Sequence, residues 1–162
     1  LATIALLLFQ ANDLTVTVSE NPGSLPDGLL RFGHHFSPHM FEVDWEDGVG
    51  WTSPRIVPFH DLTLCPSALV LHYALECFEG LKAFKGIDGK IRLFRPEKNM
   101  ERMNRSLARL YLPTFDGDEL LSCLKELLRV DADWVPDGDG QSMYIRPTAI
   151  ATDPCLGVHA AN

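Results

Sequence analysis

Apolar and polar positions alternate in the first part of the chain, as they do in half-buried strands. Residues 40–45 (MFEVDW) predict one such strand, which an aspartate and two glycines follow as turn residues. Residues 56–59 (IVPF) predict a second strand, whose proline prefers a sheet edge. Residues 10–39 are polar and interrupted by prolines and glycines, so they predict an extended arm.

Helical spacing replaces alternation in three later segments. Residues 67–78 (SALVLHYALECF) predict a buried helix between a proline and a glycine. Pro96 stands at a favoured first position of a second helix, which ends at Pro113. Asp116 or Asp118 can cap a third helix. The apolar faces of the second and third helices comprise Met100, Met103, Leu107, Leu110, Leu120, Leu121, Leu124, Leu127 and Leu128.

A β-hairpin is predicted between the first and second helices. Residues 81–85 and 90–94 flank a GIDG turn, and a DG pair between apolar runs is a strong hairpin signal. A final strand covers residues 143–151, after a PDGDG turn. The sequence shows no internal repeat. This order of elements predicts an α+β domain, with helices packed on one face of a mostly antiparallel sheet.

Length and composition agree with one globular domain. The chain has 162 residues, of which 46% are hydrophobic and 22% charged, and this excludes disordered and fibrous classes. A net charge of −8 and a pI near 5.1 argue against a nucleic-acid partner, which requires a basic stripe. No run reaches the roughly 20 apolar residues of a membrane helix, so we expect a soluble protein without a membrane partner.

The chain begins with a nearly all-apolar run, residues 1–9 (LATIALLLF), which no methionine precedes. The run lacks the basic segment and cleavage site of a signal peptide, so we treat it as the edge of a longer sequence and exclude it from the fold prediction. Cys65, Cys77, Cys123 and Cys155 form no CxxC pair. This pattern predicts free, mostly buried thiols.

Two groups of side chains on the predicted helices could bind a ligand. Tyr73 and Phe78 lie near the end of the first helix, where they are either core residues, which the spacing favours, or the wall of a pocket beside Gly80. A basic stripe follows the second helix, and its members are Lys98, Arg102, Arg105 and Arg109. Such a stripe is usually a solvated face, but in an acidic protein it is also the concentrated site for a phosphate or carboxylate.

The last predicted strand carries a third candidate. Tyr144 and Arg146 are two residues apart, so their side chains project from the same face. An arginine on an inward face requires an anionic partner, and Pro147 places the strand near an edge or opening. The pair is therefore either a contact for a substrate carboxylate or part of a structural ion pair.

No metal site is predicted. His34, His35 and His39 fall in the arm, without cysteine or carboxylate at ligand spacing. The acidic run at Asp131, Asp133, Asp137 and Asp139 lacks the glutamate that closes a calcium loop, so it predicts a helix end followed by a turn. The sequence contains no GxSxG motif, no GK[ST] phosphate loop and no HExxH motif.

Five segments together resemble the N-terminal small domain of the branched-chain amino-acid aminotransferases, which are class IV (fold-type IV) pyridoxal-phosphate enzymes. The segments are FGHHFSPHMFEVDW (32–45), LHYALECFEGLKAF (71–84), IRLFRPEKNMERMNRS (91–106), LLRVDADWVP (127–136) and YIRPTAIATDPCLGV (144–158). The resemblance implies an N-terminal arm at residues 1–31, a small domain at 32–158 and the start of an interdomain linker at 159–162. The YIRP strand and the EKNMERM helix fit this group better than a D-amino-acid aminotransferase or a chorismate lyase.

The resemblance implies reversible amino transfer between leucine, isoleucine or valine and 2-oxoglutarate, with pyridoxal 5′-phosphate as cofactor in a homodimer. The family's phosphate-holding arginine matches Arg102. Its substrate-pocket residues match Phe32, Tyr73, Phe78, Tyr144 and Arg146. In this pattern Tyr144 and Arg146 help to receive a carboxylate, while the aromatic rings form the wall for a branched side chain. A pocket that accepts both leucine and glutamate needs such a combination.

The lysine that bonds covalently to the cofactor lies, in this family, in a larger C-terminal domain. The lysines of this chain are Lys82, Lys85, Lys90, Lys98 and Lys125, and none matches that position. We therefore expect the chain to be the N-terminal part of an aminotransferase and to be inactive alone. The alternative is a truncated, non-catalytic isoform that acts as a dimerisation or binding module. Either a cytoplasmic or a mitochondrial location is compatible with the sequence.

Overall fold

The structure is a computed structural model and describes residues 8–28 and 30–157. Most of the apolar N-terminal run and the whole segment predicted as a linker, residues 159–162, lie outside the described residues. Within them, the strands are β1 (Thr15–Val16), β2 (His39–Glu42), β3 (Trp45–Glu46), β4 (Gly50–Trp51), β5 (Arg55–Pro58), β6 (Glu76–Phe78), β7 (Leu81–Lys85), β8 (Ile91–Leu93), β9 (Met143–Ile145) and β10 (Thr148–Ile150). The α-helices are α1 (Leu69–Tyr73), α2 (Pro96–Arg109) and α3 (Gly117–Val130).

The strands form small sheets, and most of their pairs are antiparallel. The sheets have the orders β1-β5-β2, β8-β7-β9, β3-β4 and β10-β6, and the β1–β5 pair is parallel. Helices α2 and α3 pack against each other, α3 also packs against β2, and α2 packs against β6. The predicted α+β class with a mostly antiparallel sheet is confirmed, although the expected single sheet is divided into these smaller ones.

Local sequence signals account for the hairpin and for both long helices. The β7–β8 hairpin pairs Ala83 with Leu93 and Lys85 with Ile91, as the DG turn predicts. Pro96 is the first residue of α2. The carboxylate of Asp116 accepts hydrogen bonds from the first two acidic residues of α3, which confirms this aspartate as the cap.

The helix predicted over residues 67–78 is wrong in its second half. Helix α1 ends at Tyr73, Ala74 adopts a left-handed φ of 51°, and β6 follows. Strand β6 pairs with β10 through the registers Thr148↔Phe78 and Ile150↔Glu76. Pairing with a distant strand therefore overrides the local helical spacing, and it brings Phe78 to the end of a strand.

The strand predicted over residues 143–151 is divided. Strand β9 pairs with β7, whereas β10 pairs with β6 in a different sheet. The break falls at Arg146 and Pro147, where the proline has no N–H for a ladder. The carbonyl of Pro147 instead accepts from the backbone N–H of Glu79 at 3.0 Å.

The main core lies between α2, α3 and the strands beside them, and it includes Met100, Met103, Leu107, Leu120, Leu121 and Leu124, as the helical spacing predicts. Phe9 is also buried there, 5.7 Å from Trp51 and 6.4 Å from Phe115 between ring centroids. Excluding residues 1–9 from the fold was therefore wrong for Phe9.

The cysteines were predicted to be free thiols and mostly buried; the second part of this prediction is wrong. Cys65, Cys77 and Cys123 are free thiols, but of the four cysteines Cys123 alone is buried, while Cys65 and Cys155 are exposed. Burial raises the pKa of the Cys123 thiol to about 11. No described helix has the length and apolar character to cross a membrane.

Candidate functional site

Four of the five predicted substrate residues form one aromatic–arginine cluster, defined as Phe32, Phe78, Tyr144 and Arg146. The guanidinium of Arg146 stacks over the Phe78 ring, with Cζ 4.1 Å from the ring centroid. The same guanidinium donates from Nε and Nη2 to the Tyr144 hydroxyl at 3.2 and 3.0 Å. Phe32 meets the Tyr144 ring edge-to-face, at a centroid distance of 5.1 Å.

Two hydrogen-bond donors of the cluster are not used within it. Since the Tyr144 oxygen accepts from Arg146, its own proton remains for an outside acceptor, and Nη1 of Arg146 also remains a donor. The described residues place no carboxylate in an ion pair with Arg146. Among the described residues Arg146 belongs to no ion pair, and the cluster presents donors beside exposed aromatic rings.

Gly80 determines where the Tyr144 hydroxyl lies. A Cβ added at Gly80 would overlap Tyr144 Oη and stand 2.9 Å from Cζ of the same ring, well inside van der Waals contact. Only glycine permits the tyrosine to lie directly against this backbone, because it has no Cβ. The Gly80 position therefore serves the cluster by close approach and not by an unusual φ angle.

Tyr73 lies apart from the cluster in its contacts. Its hydroxyl donates to the carbonyl oxygen of Leu156, near the end of the described chain. Its ring neighbours that of His72 at 6.3 Å between centroids. The described contacts therefore do not bring Tyr73 to Phe78, and its predicted substrate role stays a prediction.

The predicted phosphate residue, Arg102, is held by a carboxylate. Glu79 accepts from Arg102 Nε at 2.8 Å and from Nη2 at 2.7 Å, a two-point arrangement. Asn99 Nδ2 donates to Glu79 Oε2 at 2.8 Å and to the Gly80 carbonyl at 3.0 Å. The hydrogen bond from Arg102 holds the pKa of Glu79 below its ordinary value, and Glu79 in turn raises the pKa of Arg102.

Sequence reasoning missed Glu79 and Asn99 as site residues. Periodicity could not find them, because Glu79 meets Arg102 across 23 positions and Asn99 across 20. The one available signal is that a charged residue stands between Phe78 and Gly80, the glycine just before the hairpin.

Three of the four residues of the basic stripe line an open groove of about 480 Å³, together with Phe94, Arg95, Asn99 and Glu101. Lys98 is paired with both carboxylate oxygens of Glu101, at 2.7 and 2.9 Å. Arg105 lines the groove, whereas Arg109, at the end of α2, does not line it. The stripe is therefore exposed, as a solvated face would be, and three of its four positive charges border the same open groove.

A second pair that contains a carboxylate, His39 and Asp131, lies outside this site. His39, predicted to lie in the arm, begins β2 and is buried, and its Nδ1 lies 2.6 Å from Asp131 Oδ1. The Ser19 N–H donates to His39 Nε2 at 2.8 Å, so Nδ1 carries the proton that it donates to Asp131. Asp131 ends α3, as predicted, and its Oδ2 is buried without a hydrogen-bond partner. The described residues hold no group of three or more candidate metal ligands.

Curated relatives match nearly the whole chain. The mitochondrial branched-chain-amino-acid aminotransferase of Mus musculus is 51% identical over 153 residues, which are 93% of this chain and 39% of that protein. The cytosolic one of the same species is 53% identical over 154 residues, with the same coverages. A branched-chain-amino-acid aminotransferase of Monosiga brevicollis is 52% identical over 149 residues, 91% of this chain and 38% of that protein. The chain thus spans about two-fifths of these relatives' length, and both predicted locations occur among them.

Solved structures match the fold. A branched-chain amino acid aminotransferase of T.th., complexed with N-(5′-phosphopyridoxyl)-L-glutamate, has a TM-score of 0.55 and 27% identity, over 66% of this chain and 35% of that one. One from Thermoproteus uzoniensis, with norvaline, has a TM-score of 0.53 and 26% identity, over 64% and 33%. No family model matches the chain.

Proposed function

Because the chain belongs to the branched-chain-amino-acid aminotransferase family, we propose that it supplies the small domain of a transaminase acting on leucine, isoleucine or valine and 2-oxoglutarate. One observation carries this proposal. The dipeptide Glu79-Gly80 contacts Arg102 on one side and Tyr144 on the other, so the residue predicted to bind a phosphate adjoins one predicted to bind a carboxylate. A phosphorylated cofactor and an amino acid substrate need these two contacts in one site.

The aromatic–arginine cluster is the substrate part of this site. Arg146 and the Tyr144 hydroxyl receive the α-carboxylate, or the side-chain carboxylate when glutamate is bound, through charge-assisted hydrogen bonds. Phe32 and Phe78 form the apolar wall for a branched side chain. Tyr73 joins them at the rim of the pocket. For this role its hydrogen bond to the Leu156 carbonyl must break. A stacked arginine can serve both substrates, because its planar group packs against apolar atoms and still donates at its edge.

The groove beside Arg102 fits the phosphate of pyridoxal 5′-phosphate. Glu79 engages Nε and Nη2 of Arg102, which leaves Nη1 for a phosphate oxygen. Arg95, Lys98 and Arg105 add positive charge to the same groove, and solved relatives bind phosphopyridoxyl compounds. When bound, this cofactor withdraws electrons from the substrate Cα. Arg102 contributes by binding and orienting its phosphate.

The covalent lysine belongs to sequence outside this chain. Four of the lysines, Lys82, Lys85, Lys90 and Lys125, do not line the groove. Lys98 does, but both oxygens of Glu101 engage its ammonium group. The 162-residue chain alone is therefore inactive and forms no covalent adduct with the cofactor.

The complete protein acts as a homodimer. The structure leaves a set of large apolar side chains more than half exposed, namely Phe32, Phe36, Phe78, Ile87, Phe94 and Tyr111. Exposed apolar side chains in this number are typical of surfaces that the rest of a protein or a second subunit covers. Size-exclusion chromatography with light scattering of the complete protein is expected to give twice the chain mass, and a monodisperse monomer contradicts the dimer.

The transaminase proposal is tested on the complete product of the reading frame that contains this chain. Incubated with pyridoxal 5′-phosphate, leucine and 2-oxoglutarate, it should form glutamate and the 2-oxo acid of leucine. The isolated chain is mixed with the cofactor, reduced with borohydride and digested for mass spectrometry. Absence of glutamate from the first reaction contradicts the function, and a stable adduct at one lysine of the isolated chain contradicts the missing-lysine assignment.

A further inference from the structure

We propose that Glu79 is the positioning residue of this site: it fixes the guanidinium of Arg102 for the cofactor phosphate and connects it to the substrate cluster. The inference rests on the proposed function, since it concerns the same site. It assigns a role to a carboxylate that neither the motifs nor the basic stripe indicated. Glu79 itself touches neither substrate nor cofactor and acts through its neighbours.

The geometry around Glu79 is a continuous chain of polar contacts. Both of its oxygens engage Arg102, at 2.8 and 2.7 Å, which fixes the plane of the guanidinium as well as its position. Asn99, one turn earlier on α2, anchors the second oxygen at 2.8 Å. The Glu79 side chain is largely buried, whereas that of Arg102 is nearly half exposed. The carboxylate of Glu79 is thus the anchored partner, and the guanidinium of Arg102, which it orients, faces solvent.

The same anchor reaches the substrate cluster. Asn99 Nδ2 also donates to the carbonyl of Gly80, at 3.0 Å, and Gly80 is the residue against which the Tyr144 hydroxyl lies. Displacement of Glu79 would therefore remove one of the two contacts that hold the Asn99 amide, and so loosen its hold on the Gly80 carbonyl, beside which Tyr144 lies. One carboxylate in this way couples the phosphate contact to the carboxylate contact.

Electrostatics alone would disfavour a carboxylate at this position. A negative charge next to an anion site lowers its affinity for phosphate, because like charges repel. Glu79 therefore has opposite effects, one through charge and one through orientation, and the sign of a charge-neutralising substitution separates them. If orientation dominates, Glu79→Gln weakens cofactor binding although the groove becomes more positive.

Glu101→Gln is the matched charge control. Glu101 lies on the same helix and pairs with Lys98, so this variant removes the same charge near the groove without releasing Arg102. The complete protein and both variants are titrated with pyridoxal 5′-phosphate, and binding is followed by the cofactor absorbance. Glu79→Gln should raise Kd about tenfold, the loss of one charge-assisted contact, whereas Glu101→Gln should leave Kd equal or lower.

Asn99→Ala is the second variant, because it keeps both charges of the pair. It should raise Kd by about threefold and raise KM for leucine, since it frees the Glu79 carboxylate and Gly80 together. Glu79→Asp, which keeps the charge, should recover part of the affinity lost in Glu79→Gln. The unfolding temperature of each variant is measured alongside, so that a loss of fold is distinguished from a loss of orientation.

Two outcomes overturn the inference while the proposed function stands: an active parent protein with equal Kd for Glu79→Gln and Glu101→Gln, or a lower Kd for Glu79→Gln. Loss of binding that follows the unfolding temperature and is not recovered in Glu79→Asp also overturns it. Failure of the parent protein to transaminate at all contradicts the proposed function instead.

Discussion

Two carboxylates connect distant parts of this molecule, and their surroundings differ. Asp131 meets His39 across 92 residues with both side chains buried, at 1% and 3% exposure. Glu79 meets Arg102 across 23 residues, with 13% exposure for the carboxylate and 47% for the guanidinium. The first pair has no access to a ligand, whereas the second has one open side. Burial thus separates a contact that stabilises the fold from a contact that can present a charged group.

The largest expected effect is on the buried pair. His39→Ala leaves the Asp131 carboxylate without its only described partner, so it should lower the free energy of unfolding by about 3 kcal/mol. Urea denaturation measures this change. His60→Ala is the matched control, because His60 is half exposed and pairs with Glu42, and it should cost less than about 0.5 kcal/mol. Equal shifts in the two variants would remove the distinction between the pairs.

The second effect is on the open pair and concerns binding. Arg102→Ala should raise Kd for pyridoxal 5′-phosphate about 30-fold, roughly 2 kcal/mol, while unfolding changes by less than about 1 kcal/mol. Arg129→Ala removes an exposed arginine that pairs with Glu126 on α3, and it should change neither quantity. A cofactor affinity that survives Arg102→Ala would refute the phosphate assignment.

The third effect concerns the glycine between the two contacts. Gly80→Ala places a methyl group where the Tyr144 hydroxyl lies, so KM for leucine should rise about tenfold in the complete protein. Gly86→Ala is matched, since its Cβ would meet the ends of Arg92 and Asp88, which are flexible and exposed on the hairpin turn. Steady-state kinetics of both variants measure the difference. An unchanged KM in Gly80→Ala would show that Tyr144 does not contact the substrate.

The smallest effect is on the pH dependence of stability. The pKa of Glu79 is lowered by its hydrogen bond from Arg102, so its contribution is complete above the pKa of an unfolded glutamate, about 4.3, and is lost as the pH falls below it. The free energies of unfolding of the parent chain and of Glu79→Gln should therefore differ by less than about 1 kcal/mol at pH 7 and converge as the pH falls through the lowered pKa of Glu79. A difference that persists at acid pH would mean that the carboxylate charge is not its source.

Features encoded by neighbouring residues could be predicted from the sequence. Pro96 begins α2, Asp116 caps α3, and the DG turn sets the hairpin, because each signal acts over a few residues. Residues 76–78 could not be assigned in this way, since their conformation depends on β10, about 70 positions later. The break in the predicted strand has a local signal, the missing N–H of Pro147. No local signal shows that β9 and β10, on either side of the break, join different sheets.

The candidate site divides along the same line. Tyr144 and Arg146 were predicted to share a face from their spacing alone, and their hydrogen bonds confirm it. Phe78 was a pocket candidate beside Gly80, although the spacing favoured a core role, and Phe32 came from the family resemblance alone; the structure brings both to that pair. Glu79 was not predicted, because a contact between a strand end and a helix 23 positions later leaves no periodic trace.

Phe9 has a consequence for the order of events during synthesis. Its ring partner Phe115 is made 106 residues later, since 115 − 9 = 106. At about 5 to 20 residues per second, the phenylalanine waits roughly 5 to 20 s for that partner. The ring contacts of Phe9 with Phe41 and Trp51 can form earlier, but the core around it cannot close before Phe115, beyond α2, has been made.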